Sequence, residues 1–295
     1  MATRGRKSAT ANSSSPNASS SGSSDVPPGG APTSTRDPRA EALRSAIAAL
    51  PASVRSTAVV RLGARERTFG GVPLLEYARS VGLLPPHLDD HTSMAGYFLI
   101  TAVDGARATV GLAEADPEVA VCPILLATEQ DGEPLRTGVR LVVPREGTRS
   151  VAGVVDITYH TSASDDVSHS PSTVIEVRGP LPRPGAYDLA ARSDFVAAVG
   201  VDGAAHRGVP VHLVMGDAGM FALTDGEALA GQVVVVTSAD GRVAVLAGSE
   251  VGPRYAREPV LLVSEMDGTF CLVVPYDRRP TRYLPGVVSL ELREG

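Results

Sequence analysis

The chain states one phrase twice. "PILLATEQDG" (Pro123 to Gly132) returns as "PVLLVSEMDG" (Pro259 to Gly268), identical at six of ten positions. Four further blocks recur in the same order. "FGGVPLLEYARSVGL" is answered by "HRGVPVHLVMGDAGM", "YFLITAVDG" by "VVVVTSADG", "VRLVVPRE" by "FCLVVPYD", and "RSVAGVVDI" by "RYLPGVVSL". The spacing from each block to its answer is nearly constant along the chain. Strands that shared only a preference for Val and Leu would not keep that order. The chain therefore reads as a tandem repeat of one unit of roughly 120 residues, too long for a solenoid repeat and the size of a whole domain. Two such copies suggest a pseudo-two-fold pair.

The rest of the chain divides around the repeat. Residues 1–37 are Ser, Pro, Gly, Ala and Thr with almost no large apolar groups, which predicts a disordered low-complexity tail. The first copy is expected over 38–160, a polar linker over 161–171, and the second copy over 172–295. "PRAEALRSAIAALP" carries Leu43, Ile47 and Leu50 at helical spacing between prolines, which predicts a short amphipathic helix. "VPLLEYARSVGLL" predicts a second, with Leu74, Leu75, Ala78 and Val81 toward the core. Elsewhere the apolar runs are short and β-like, and Asp-Gly steps at Asp104-Gly105 and Asp131-Gly132 punctuate them as turns. The expected core includes Leu125, Leu126, Leu141, Val143 and Val154, with partners Leu261, Leu262, Leu272, Val274 and Val287. The fold class is α+β, with strand-rich mixed sheets and a few short helices.

Charge and composition exclude several classes. The net charge is −6, and Lys7 is the sole lysine. Nucleic-acid binding needs many cationic contacts to phosphate, so none is expected. No apolar run reaches the ~20 residues that span a bilayer, and no apolar stretch follows the basic start as in a signal peptide. No membrane association is expected, and the cytoplasm is the default location. Cys122 and Cys271 are the only cysteines and lie in no CxxC motif. Both read as small apolar strand residues.

The ordered series "GVPL", "TAVDG", "P-x-LLA-x-E-x-DG", "RLVVP" and "GVV-x-I" resembles the oxidoreductase molybdopterin-binding domain, the catalytic fold of sulfite oxidases. Gly71, Val72, Pro73, Leu74, Thr101, Asp104, Gly105, Glu129, Asp131, Gly132 and Pro144 carry it in the first copy. Gly208, Val209, Pro210, Thr237, Asp240, Gly241, Glu265, Asp267, Gly268 and Pro275 carry it in the second. The resemblance implies a molybdopterin cofactor and redox chemistry on a small oxyanion or sulfoxide. The departures speak against that activity. In redox members a Cys thiolate upstream of the GVPL block ligates molybdenum, a role that suits soft sulfur. Here Val60, Arg61 and Leu62 occupy that stretch in one copy, and Ala197, Ala198 and Val199 in the other. The expectation is therefore a molybdopterin-domain-like protein without the metal thiolate, binding a small anionic ligand or a protein partner. An active oxidoreductase with other ligands, and a structural or interaction module that forms a homo-oligomer or meets a partner, are the alternatives.

Candidate residues follow from recurrence. Arg149 and Arg282 precede the last strand of each copy; an Arg there could hold an anion bidentately or form a surface ion pair. Glu129 and Glu265 recur before the next turn, as buried acids that satisfy backbone or an Arg, or as cofactor contacts. Asp104 and Asp240 are turn residues. His87 and His91 lie four apart in "PPHLDDH", expected to be a loop, and His206 and His212 flank the second GVP; none has a counterpart in the other copy, so no metal site is expected.

Overall fold

The computed structural model describes residues 37–62, 65–121, 123–144, 149–163, 170–200, 203–222, 229–253 and 258–295, with the backbone alone at Leu62 and Asp90. The low-complexity tail (residues 1–36), Cys122 and most of the expected linker lie outside the described residues.

The first half opens with helix α1 (Pro38–Ala48). Proline stands at its first position, and the Asp37 carboxylate accepts from Arg39 N at 2.8 Å, as a helix start requires. Strands β1 (Ser56–Leu62) and β2 (Arg65–Pro73) follow, then α2 (Leu74–Ser80), α3 (Asp90–Ala95), β3 (Gly96–Ala102), β4 (Arg107–Gly111) and the single turn α4 (Leu112–Ala115). β5 (Leu125–Gln130), β6 (Glu133–Pro134), β7 (Arg140–Val142) and β8 (Val154–Thr161) complete it. The second half runs β9 (Val174–Arg178), β10 (Gly185–Asp188), β11 (Val196–Val199), β12 (Ala205–Pro210), α5 (Val211–Asp217), β13 (Gln232–Ser238) and β14 (Val243–Ala247). It closes with α6 (Gly248–Val251), β15 (Leu261–Ser264), β16 (Phe270–Val273) and β17 (Val287–Glu294). The fold is α+β and strand-rich.

The order of elements recurs down to single hydrogen bonds. One sheet runs β1-β2-β5-β6 with β7 also on β5, and its counterpart runs β11-β12-β15-β16. A second pair runs β4-β3-β8 and β10-β9-β17-β13-β14. Leu74 N donates to Ile124 O, and Val211 N to Val260 O, each at 2.9 Å. Leu141 N reaches Val151 O and Leu272 N reaches Leu284 O, each at 2.8 Å. The register of β3 on β8 shifts between Thr101 and Ala102, and that of β13 on β17 between Thr237 and Ser238. The glycine of each GVP block has a steric cause. A Cβ on Gly71 would lie 2.2 Å from Leu126 O, and one on Gly208 2.5 Å from Leu262 O, so the crossing of β2 over β5 and of β12 over β15 admits only glycine.

The halves differ at their entrances. α1 packs beside β8 in the first, burying Leu43 and Ile47. In the second, β9 adds parallel to β17 and β10 adds to β9. Three sequence expectations need correction. Val81 is 44 % exposed, because α2 ends at Ser80 and Val81 is its cap. His160 and Thr161 belong to β8, pairing with Tyr97 and Gly96, so the strand ends at Thr161, inside the stretch expected to be a linker. The stretch through His91 is not all loop: Asp89 accepts from Thr92 N at 2.7 Å and starts α3.

All ten expected core residues are at most 3 % exposed. Among the described residues the two largest apolar clusters lie one in each half, that of the second also taking in Met94, and a smaller one joins the halves. On β3, Phe98 and Ile100 face the first core, while Tyr97 turns the other way. On β13, Val234 and Val236 face the second core, while Val233 and Val235 join Val243, Val245 and Tyr97. The two sheets thus meet face to face in a seam, and each such side chain gains roughly 1.5–3 kcal/mol on leaving water. The Thr109 hydroxyl crosses the seam to Gln232 O at 2.6 Å.

Candidate functional site

The recurrence that matters chemically is a buried ionic cluster at the seam. After β4 and after β14 the chain makes one helical turn with a glutamate at its third position. Glu114 Oε2 accepts from Gly111 N at 3.4 Å, and Glu250 Oε2 from Ala247 N at 3.3 Å, so each acid satisfies the start of its own turn. The segment before β8 then brings in Arg149, and a 3-10 turn (Pro280–Arg282) before β17 brings in Arg282. Arg149 grips Glu114 with both terminal nitrogens, at 2.5 and 2.9 Å. Arg282 binds Asp277 through Nε and Nη2 at 2.7 and 2.6 Å, and Glu250 through Nη1 at 2.6 Å. Tyr276 donates its hydroxyl to Glu250 at 2.7 Å, with its ring 5.8 Å from the Arg282 guanidinium. Both arginines are completely buried.

Three carboxylates thus face two guanidiniums among the described residues. Burial alone would raise the Glu250 carboxyl, but Arg282, Arg149 and the Tyr276 hydroxyl outweigh it and hold the group below its ordinary value. The surplus negative charge shows on Asp277. Burial pushes its carboxyl up, Arg282 pulls it back only in part, and Glu250 and Glu114 add repulsion. Tyr276 is raised well above an ordinary phenol by burial and by Glu250. From the second half, Arg278 N donates to Val119 O at 2.7 Å and Arg279 binds Glu118 at 2.6 Å, so the loop carrying Asp277 also clasps the first half.

Arg149 and Arg282 therefore do not form surface ion pairs, and they offer no face to an external anion. Glu129 and Glu265 are not buried and do not meet these arginines. Both are exposed at hairpins, because β5 and β15 leave the core there, and Glu265 accepts from Thr269 Oγ1 at 3.1 Å. Asp104 and Asp240 lie at turns as expected, with Gly105 and Gly241 at positive φ, and Asp240 binds Arg242 at 2.7 Å. His206 contacts the Tyr283 hydroxyl at 3.1 Å; His212 is half-buried, which lowers its pKa. His87 and His91 are exposed, and no metal-holding group occurs among the described residues. Burial pushes the half-buried Cys271 thiol up to about 12. Glu114, Glu250, Asp277 and Tyr276 escaped the sequence reading. The acids were visible in principle: Glu250 follows Glu114 at the same spacing by which Pro259 follows Pro123 in the repeated phrase.

The spaces around this cluster limit what it can bind. A cavity of about 30 Å³ adjoins Glu114, Tyr276 and Arg282, with Val121, Ile124 and Val143 in its wall. Small-molecule sites usually run ~300–1,000 Å³. No family model matches the chain, and no curated protein matches it. The two arginines are closed by carboxylates, and the stretch upstream of each GVP carries no cysteine. Two larger clefts lie at the surface. One, of about 580 Å³, opens at the seam between α3, the end of β8 and the β13–β14 turn, with His91, Thr92, Ser162 and Arg242 in its walls. The other, of about 450 Å³, lies between α1, α2 and β8. No helix among the described residues is long and apolar enough to cross a membrane.

Proposed function

We propose that this chain is a non-redox binding protein made of two degenerate copies of a sulfite-oxidase-type unit. Its ligand is a protein partner or a small anion, and it does not turn over substrate. The observation that carries the proposal is the saturation of Arg149 and Arg282 by Glu114, Glu250 and Asp277 at zero exposure. The recurring pairs Glu114–Arg149 and Glu250–Arg282 are buried, each within its own half. Duplication of a scaffold whose ionic centre is sealed leaves the outer clefts as the surfaces that meet other molecules.

The test is metal and pterin content. The full chain is purified from a cofactor-competent host, metal is read by mass spectrometry, and pterin by fluorescence after oxidation. The expected result is neither molybdenum nor tungsten and no pterin. One equivalent of metal with pterin would refute the proposal and restore the oxidoreductase alternative.

A further inference from the structure

Among the described residues a strand lies along the outer edge of β17 and none along that of β8, beside which α1 packs. β9 lies parallel along β17, with Glu176 opposite Ser289, Val177 opposite Leu290 and Arg178 opposite Glu291. β8 corresponds to β17 by its pairing and by the shared register shift. Asp156, Ile157 and Thr158 pair with Thr101, Ile100 and Leu99 of β3, as Ser289, Leu290 and Glu291 pair with Thr237, Val236 and Val235 of β13. Yet the sheet β4-β3-β8 stops at β8 among the described residues. A groove of about 450 Å³ opens there, floored by Val155, Asp156 and Ile157 and walled by α1 and α2, with Arg39, Ala42 and Tyr77 in the walls.

A strand edge presents N–H and C=O groups that another extended chain can pair. We propose that this groove takes an extended peptide of a partner protein, added parallel to β8 as β9 is added to β17. The inference rests on the partner-binding function above and assigns it a place. β9 shows the chemistry that fits. Its Ile175 and Val177 enter the core at 0 and 1 % exposure, while Glu176 and Arg178 turn outward and pair at 2.6 Å. Arg39, whose guanidinium also binds Asp37 at 3.1 Å, and Asp156 give the groove charges of both signs, and Ala42 contributes a small side chain to its wall. The partner segment therefore alternates apolar residues with charges of both signs.

The probe is a fluorescein-labelled peptide of sequence TVIEVRG, titrated against the full chain by fluorescence anisotropy. A second peptide carries Pro in place of the Glu, which removes one backbone donor. A protein variant, Ala42→Glu, puts a charge into the groove from an exposed helix position and keeps the core intact. Saturable binding is expected, at least ~10-fold weaker for either change, with slowed amide exchange over Val155–Thr158. No binding at ~1 mM peptide, or equal binding of the Pro peptide or by Ala42→Glu, overturns the proposal. So does self-association that Ala42→Glu abolishes, since a second copy is then the occupant. Binding that appears only after removal of residues 1–36 likewise overturns it in favour of the chain's own tail. Peptide titration and metal content are separate readouts, so either proposal can fail while the other stands.

Discussion

Replacing Arg282 with Met tests whether the ionic cluster holds the molecule together. The side chain makes three charge-assisted hydrogen bonds, to carboxylates that are 6 and 1 % exposed as residues. Methionine fills most of the space and supplies none of the charge. Asp277 and Glu250 are then buried without their main partner, and a broken buried pair typically costs ~3–5 kcal/mol. Proton uptake limits the loss. Neutralising a carboxyl of ordinary pKa near ~4 at pH 7 costs about 4 kcal/mol, so the penalty cannot exceed about 8 for the two. The sign of the pH dependence follows. In the variant both carboxyls have folded pKa values above their unfolded ones, so the stability they retain is full at low pH and is lost as pH rises. In the wild type the two acids oppose each other: Glu250, held down, contributes stability that is lost on acidification, while Asp277, held up, costs stability that acidification restores, and loss of Arg282 moves both upward. The gap between variant and wild type should therefore be ~3–5 kcal/mol at pH 7 and shrink to about 2 at pH 5, read from urea unfolding at each pH. A gap under ~1 kcal/mol at pH 7, or one that does not narrow with acid, would show that Arg282 is not the buried counter-charge.

Other perturbations probe the crossing, the seam and the thiol. Gly71→Ala and Gly208→Ala force a Cβ into a carbonyl oxygen, so each should lose ~3 kcal/mol or more in urea unfolding, whereas Gly105→Ala, at φ 85 with open space around it, should lose about 1–2. Equal losses would mean that close approach is not why glycine stands there. Tyr97→Ala empties the seam beside Val233 and Val245 and should lower stability by ~3–5 kcal/mol; under ~1 would mean that the halves are not packed through this ring. Cys271, in a Cys122→Ser background, should react with a thiol reagent at pH 8 roughly 1,000-fold more slowly in the native state than in urea, because burial and the Glu265 charge keep it protonated. Fast native labelling would contradict that environment.

Much of the fold was written in the sequence as order. The recurring blocks became matching strands, and the ten expected core residues are buried, because strand periodicity and apolar runs depend on local pattern. Packing of the halves was not read from the sequence, although the strands that meet at the seam carry a signal of it. "VVVV" at Val233–Val236 and "YFLI" at Tyr97–Ile100 do not alternate, and an unbroken apolar strand is one covered on both faces. The site was harder. Glu129 and Glu265 sit in the most faithfully repeated phrase, and that similarity belongs to a hairpin; their exposure depends on where β5 and β15 leave the core. Arg149 and Arg282 were found by recurrence, yet their burial depends on Glu114 and Glu250, 35 and 32 residues away in sequence, and such pairing is tertiary. Nor does the repeat disclose that α1 and β9 enter the two halves differently, since neither belongs to the repeated blocks.

The seam also has a tempo. Tyr97 and the rest of its face are made first, and Val233 is added only after a whole repeat length of further chain. At ~5–20 residues per second, a ribosome leaves that face bare for roughly 7–27 s. During that interval the first half is a folded-sized body with one greasy side and an acid–base pair awaiting its cover. Slow codons between the halves, or a crowded polysome, would lengthen the exposure and favour pairing between neighbouring nascent chains. Yield on expression should thus depend on translation speed as well as on the stability of the finished molecule.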